Sequence, residues 1–472
     1  MSQVLQNPLR FVARVGIEFE TPFIIGGGSD DLFFDDVFVA DVNGLPALPG
    51  SSLAGILRHA WVEAGHGDGN GLFGYQKGDK GQGSRLSVSW GCIHGSQNRP
   101  VEGILYDHLT IATDPVLSEA RLMSARDHVR INHKGTAADR GKFDERSVSA
   151  GHRFTFELLL EGTKDDQENW NKLLTLLLSK SIRIGGKTRR GYGQFKVNQL
   201  QTAAFDLSTL EGFSAFCAHP VALAAPCKLP DQLSKITPHQ GKGSVSAVLH
   251  LKPESFWMIG GGVDSEVDMA PLKANRIHWE NGKGKVVNNQ VVVPGSSVKG
   301  VIAHRVAFHY NRLCGRFAEE VNDPATVCGE NNAAVRALFG YCKTNEEKGD
   351  RDTGQRGRVI IGDIFVDQPG EQKILNHVSI DRFTGGARVL EGALFDEKPF
   401  YGGPGFKLQV AIVEPEEVTD AKMRKAFAAA LEDLAQGRLA IGAGAGRGNG
   451  YFRAEGGVTW DEGSAAWIAG GV

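Results

Sequence analysis

The chain has 472 residues, a formal net charge of −3, and 41% hydrophobic against 23% charged residues. This is an ordinary globular composition with room for two or three domains, and it excludes a disordered chain or one that binds nucleic acid through overall positive charge. No signal-peptide core opens the sequence and no apolar run is long enough to span a bilayer, so the expectation is a cytoplasmic protein with no membrane partner.

Read in chain order, "FVARVGIEFETPFII" (Phe11–Ile25) alternates apolar and polar residues as a half-buried strand does. The loop that follows opens on Gly26–Gly28 and carries Asp30, Asp31, Asp35 and Asp36. Pro49-Gly50 then makes a turn into "SSLAGILRHAWVEAG", which reads as a serine-capped helix with Leu53, Ile56, Leu57 and Trp61 on its apolar face. "RLSVSWGCI" (Arg85–Ile93) is strand-like. "ARDHVRINHKGTAADRGKFDER" (Ala125–Arg146) reads as a hairpin bearing Arg126, Arg130, Lys134, Arg140, Lys142 and Arg146; its His128 and His133 are taken as hairpin residues rather than an acid–base pair. "NWNKLLTLLLSKSIRIGG" predicts a helix running into the glycine-rich, basic stretch "GGKTRRGYGQFK". Residues 206–243, rich in Pro, Ala and Gly, read as a linker with a short helix.

The same phrases then return. "IIGGG" is answered by "MIGGG" at Met258, "PGSS" at Pro49 by "PGSS" at Pro294, 245 residues on, and "LFGY" at Leu72 by "LFGY" at Leu338. "SRLSVSWGCI" is answered by "GRVIIGDIFV" at Gly357, the hairpin stretch from His128 by the one from His377, and "RIGGKTRRGYGQF" by "AIGAGAGRGNGYF". These collinear matches identify a duplicated domain. The β–α–β…β–α–β pattern of each copy predicts an α+β fold of two tandem ferredoxin-like (RRM-like) domains, over 1–205 and 244–472. Copy two departs from copy one by an insertion, Asn275–Asn289, between its acidic loop and its Pro-Gly-Ser-Ser phrase.

Several residues have types suited to nucleic-acid chemistry. A helix N-terminus after Pro-Gly offers free N–H groups to a phosphate, with Ser51, Ser52, Ser296 and Ser297 as hydroxyl donors and Arg58 and Lys299 as nearby cations; plain N-capping is the alternative use of the serines. The first glycine-rich loop places Lys187, Arg189 and Arg190 beside Tyr192, a cationic stretch with a ring for stacking, whereas its counterpart keeps Arg447. Arg126 and Arg130 mark the first hairpin as the more basic of the two. Cys314, Cys328 and Cys342 are evenly spaced but lack paired ligand spacing, and with no C-x-x-C in the chain all six cysteines read as reduced thiols.

Three features together resemble the RAMP superfamily of CRISPR-associated RNA-binding proteins: the glycine-led loop with a downstream Asp, the Pro-Gly-Ser-Ser-hydrophobic-Lys/Ala-Gly helix start, and the C-terminal glycine-rich loop. Their duplication looks like two backbone subunits of a type III effector fused in one chain, an arrangement associated with subtype III-D. The resemblance implies palm domains with inserted β-hairpin thumbs, a CRISPR guide RNA and a complementary single-stranded target RNA as ligands, and other effector subunits as partners. It also implies metal-dependent endoribonuclease cleavage by a loop Asp with Mg²⁺ or a similar divalent cation. Asp268, in "VDMAPLK", and Asp35 hold that position, and Asp36, Asp264, Asp30 and Asp31 stand in reserve. The alternatives are a backbone that binds guide RNA without cutting, and an endonuclease that matures the precursor RNA.

Overall fold

A computed structural model describes residues 5–26, 38–239, 245–262, 264, 266–341, 354–388 and 394–469. In the first half the sheet elements and their helices are β1 (Leu9–Phe19), α1 (Gly50–Glu63), β2 (Leu86–Val88), the hairpin β3 (Ser124–Ile131) and β4 (Ala137–Ser147), β5 (Arg153–Gly162), α2 (Gln167–Leu177) and β6 (Phe195–Asp206). The second half repeats them as β7 (Val245–Pro253), α3 (Gly295–Leu313), β10 (Val359–Ile361), the hairpin β11 (Leu375–Val378) and β12 (Leu394–Glu397), β13 (Phe406–Ile412), α4 (Ala421–Ala435) and β14 (Phe452–Ala454). Between β7 and α3 it adds a further hairpin, β8 (Lys273–Glu280) and β9 (Lys283–Val293).

The two sheets have one topology. The first runs β2–β5–β1–β6 and the second β10–β13–β7–β14, antiparallel throughout. In both, the first and third long strands pair at the centre, which is the order of a split β–α–β sheet. Each sheet carries its own hydrophobic core. In the first, Phe11, Val15 and Phe154 pack beneath Leu53, Leu57, Trp61 and Trp170; in the second, Leu249, Leu408 and Val410 pack beneath Val298, Ile302, Phe427 and Leu431. The glycine of each Pro-Gly-Ser-Ser phrase has a steric reason. A Cβ on Gly50 would lie 2.1 Å from the Val88 carbonyl, and one on Gly295 would lie 2.2 Å from that of Ile361, so the helix start can touch the neighbouring strand only through glycine.

Two expectations are corrected. The alternation of β1 predicts a half-buried strand, yet it is buried almost throughout, including Arg14 and Glu18. At Arg14 the cause is the linker, which lies over the polar face: Arg14 donates to the carbonyls of Pro220 and Ala225 and pairs with Glu157 at 3.0 Å, and His219 reaches the same carboxylate at 2.9 Å, whereas Glu18 is held by Arg153 at 2.8 Å and Lys196 at 2.9 Å. The helices are also not capped by serine. The N-cap residues are Pro49 and Pro294, neither helix has a side-chain cap, and the serines fall inside the first turn.

The halves are joined by more than the linker. Arg126 of β3 pairs with Asp363 at 2.6 Å, and their side chains are only 5% and 2% exposed. Lys299 donates to the Arg189 carbonyl at 2.9 Å, and Arg356 donates to the Thr188 hydroxyl at 2.7 Å. The β8–β9 hairpin, which contains the inserted segment of copy two, reaches back onto the first half. There the Trp279 indole donates to the Gly151 carbonyl at 2.7 Å beneath the Arg153 guanidinium, the Ile277 N–H donates to Ala150, and Asn275 donates to the buried Glu119. Among the described residues, no helix is long and apolar enough to cross a membrane.

Candidate nucleic-acid interface

Each half has a cleft between the first turn of its α1 or α3 helix and its glycine-rich loop. The loops are held alike: Gly186 donates to the Ile24 carbonyl at 2.7 Å and Ala443 to that of Met258 at 2.9 Å, while Gly185 and Gly442 adopt φ of 97° and 94° with no room for a Cβ. The first cleft, of about 260 Å³, is lined by Ser52, Gly55, His59, Arg183, Arg189 and, from the second half, Arg356. The second, of about 900 Å³, is lined by Ser296, Ser297, Lys299 and Gly300, and the first half supplies Arg130, Arg189 and Arg190 to its walls. It is therefore built from both halves.

In α3 the Gly295 N–H already donates to the Asp363 carboxylate at 2.9 Å, and the Ser52 and Ser297 N–H groups turn back on the Pro49 and Pro294 carbonyls; neither helix has a side-chain cap, so the serine hydroxyls of the two first turns remain as donors for an anion. Lys299 adds an ammonium held by two carbonyls, of Arg189 at 2.9 Å and of Val359 at 3.0 Å. The residue as a whole is half-buried, but its charged end is enclosed. Burial, reinforced by the Arg189 and Arg190 charges, pushes the Lys299 pKa down to about 7. Burial and the Arg356 charge likewise lower Arg189 to about 10, and burial and Arg189 lower Arg183 to about 10. Burial is the main cause of these shifts and repulsion between the cations adds to it, so a phosphate entering the cleft would favour the charged forms.

A repeated cluster joins each hairpin to its loop. Glu145, opposite Arg126 in the β3–β4 register, pairs with Lys187 at 3.2 Å, with Arg190, and with His128 at 3.3 Å. The His128 ring stacks on Phe143 with centroids 5.1 Å apart, and Arg190 lies over the same ring. In the second half Glu397 pairs with His377 at 3.0 Å and Arg447 at 2.6 Å; His377 stacks on Phe395 with centroids 4.7 Å apart, and Arg447 lies over that ring. Both glutamates are buried. Burial alone would raise the Glu145 pKa, but His128, Arg190 and Lys187 together bring it down to about 2. Neither glutamate was singled out from the sequence; the signal available was the shared Phe-Asp-Glu of "KFDER" and "LFDEK".

The acids divide sharply. Asp30, Asp31, Asp35 and Asp36 lie outside the described residues. Asp268 is exposed, and its segment is tied to β12: Asp268 N–H donates to the Asp396 carboxylate at 2.8 Å, and Asp396 N–H donates to the Asp268 carboxylate at 3.2 Å. This sets Asp268 at the base of the second hairpin, beside the strand that carries Glu397. Asp264 forms a turn, accepting from the N–H groups of Glu266 and Val267, which lower its pKa.

A family model described as RAMP superfamily matches residues 16–196 and 250–453. The chain belongs to the RAMP superfamily. The two matched regions correspond to the two sheets with their helices and loops, so this is a tandem RAMP protein. No curated protein matches it.

Within this RAMP protein the predicted RNA-facing residues have several fates. Ser51, Ser52, Ser296, Ser297, Lys299, Arg130, Arg189 and Arg190 line or border the clefts. Arg126 does not offer its charge to a ligand, because Asp363 neutralises it inside the junction. Tyr192 is 1% exposed, so its ring cannot stack on a base; it packs beneath the Arg126 guanidinium instead. Arg58 donates to the Gly74 carbonyl and to Asn70, which ties it to the loop after α1. Lys187 and Arg447 are partnered by the buried glutamates. Cys314 and Cys328 are free thiols and Cys342 lies outside the described residues.

The donors near Asp268 bear on a metal. Among the described residues no group of three or more His, Cys, Asp or Glu side chains could enclose an ion. Asp268 and Asp396 are two carboxylates, which suits a Mg²⁺ that retains water and takes its remaining ligand from a phosphate rather than a closed protein cage.

Proposed function

We propose that this RAMP protein is a guide-RNA-binding backbone subunit of a type III CRISPR effector that positions a complementary target RNA for cleavage, with the fused pair corresponding to the III-D arrangement. The observation that supports this most is the pair of equivalent clefts, each with serine hydroxyls on a helix first turn and a group of buried, clustered cations. RNA phosphates are the anions such clefts would take. In this reading the sheets are palms and the hairpins β3–β4 and β11–β12 are thumbs lying across the guide–target duplex. Sequence choice comes from base pairing, while the protein reads backbone and shape.

Cleavage is assigned to Asp35 in the first module and to Asp268 in the second, the latter beside the thumb base; a carboxylate there can orient an attacking 2′-hydroxyl in line with the scissile phosphate. Mg²⁺ or a similar ion held there would neutralise charge on the phosphate. The mutual hydrogen bonds of Asp268 and Asp396 favour a second reading for that module alone, in which Asp268 shapes the loop and only Asp35 cuts. The test is target cleavage by the reconstituted guide-loaded complex carrying Asp35→Ala, Asp268→Ala or both. Loss of one product per substitution supports two active modules, and loss with Asp35→Ala only supports one. Unchanged products from the double variant would leave a non-catalytic backbone.

A further inference from the structure

Glu397 is 1% exposed and takes no part in the chemistry assigned to the second module. Three side chains converge on it: His377 of the facing strand β11 at 3.0 Å, and Arg447 at 2.6 Å and Asn449 at 3.3 Å from the glycine-rich loop. The loop is shaped for this contact. Gly444 and Gly448 adopt φ of 77° and 84°, and the N–H groups of Arg447 and Asn449 both fold back on the Gly444 carbonyl, at 2.8 and 3.1 Å, so the two side chains reach one carboxylate. Gly442 and Ala443 of the same loop line the second cleft.

The edge of β12 away from β11 carries the acidic segment. Met269 bridges Glu397 in parallel register: its N–H donates to the Asp396 carbonyl at 3.1 Å, and the Lys398 N–H donates to the Met269 carbonyl at 3.0 Å. Asp268 exchanges hydrogen bonds with Asp396, and Lys398 pairs with Glu266. Asp268 therefore moves with β12. The β11–β12 hairpin is a two-stranded ribbon outside the main sheet of its module. Such a ribbon is marginal on its own, so side contacts fix where it lies. The Glu397 cluster is the contact that ties it to the wall of the cleft, and a carboxylate this buried does not part from its cation without a large loss.

We infer that Glu397 is a positioning residue for Asp268: by gripping Arg447 and Asn449 it holds β12, and Asp268 with it, at a set distance from the cleft that seats the RNA backbone. Enclosed as it is, Glu397 acts through the strand and not by touching RNA. This role rests on the cleavage assigned to Asp268.

The test uses the guide-loaded complex reconstituted with the full chain and an end-labelled target, so that the products of the two modules are resolved. Single-turnover rates at saturating target are read beside target affinity. Glu397→Gln is expected to slow the Asp268-dependent product about tenfold or more while target affinity stays within about threefold, because misplacement by an ångström costs rate rather than binding. The product assigned to Asp35 is expected to keep its rate. Arg447→Gln cuts the same link from the loop side and slows the same product, and the two substitutions together slow it no further than the stronger one alone, as residues acting through one link do. If Glu397→Gln fails to fold, Arg447→Gln and Asn449→Ala carry the test. Unchanged rates overturn the inference, as does equal slowing of both products, which is general loosening, or slowing that saturating target abolishes, which is lost binding. Asp268→Ala run alongside separates two failures. If it removes its product while Glu397→Gln spares it, the positioning role alone falls; if it spares the product, the cleavage assigned to Asp268 falls and the positioning role falls with it.

Discussion

Arg126 and Asp363 approach to 2.6 Å across the junction between the modules, each almost wholly shielded from water. Asp363 also accepts from the Gly295 N–H at 2.9 Å, so the pair locks the first hairpin to the helix turn of the second module. Arg126→Ala leaves a buried carboxylate short of its counter-charge and is expected to cost about 3–5 kcal/mol, whereas Arg126→Leu with Asp363→Leu recovers most of it. Chemical denaturation of the single and double variants measures this.

Lys299 gives the second cleft a dependence on pH near neutrality. With its pKa held at about 7, it is charged below that value and neutral above it. The unfolded chain binds this proton up to the ordinary lysine range, so the Lys299 contribution to stability rises with pH from about 7 to about 10.5. RNA affinity goes the other way, falling as pH rises through 7 at constant salt. Lys299→Arg removes that fall, and Lys299→Ala lowers the slope of log affinity against log salt by about one phosphate contact. Filter binding across pH and salt checks both.

Glu145 acts at the acid end. Its folded pKa of about 2 is below the ordinary 4.5, so its contribution to stability is complete above 4.5 and lost as pH falls towards 2. Thermal melts through that window are expected to show a shallower acid loss for Glu145→Gln than for the parent. The variant also frees Lys187 and Arg190 from their carboxylate, and proteolysis is expected to reach the β3–β4 hairpin sooner.

Trp279 tests whether the inserted hairpin is a strut. Trp279→Ala removes the hydrogen bond to Gly151 and the ring beneath Arg153, at a cost of about 2–4 kcal/mol concentrated at the junction. Calorimetry is expected to resolve two transitions, one per module, in place of a merged one.

Much of the cleft was legible in the sequence because its parts are local. A Pro-Gly turn into a helix and a glycine-rich loop after a strand are read from neighbouring residues, and the duplication gives each a second witness. The fates of Tyr192 and Arg126 were not legible. Both belong to basic, aromatic stretches that look solvent-facing; Arg126 is drawn in by Asp363 of the other module and Tyr192 packs beneath Arg126, and neither approach leaves a local pattern. Glu145 and Glu397 were missed for a related reason: an acid inside a basic hairpin stands out only when the cations around it are seen to converge on it.

The sequence by itself determined the duplication, the α+β elements and the glycines on which the clefts turn, since short-range sterics and hydrophobic period dictate these. Only the tertiary structure decided which charges face a ligand. The linker covers the polar face of β1, the inserted hairpin of the second copy becomes a strut on the first, and Asp363 withdraws Arg126 from solvent. Whether an arginine meets a phosphate or a carboxylate depends on what the fold brings within a few ångströms of it, and here those partners lie hundreds of residues away along the chain.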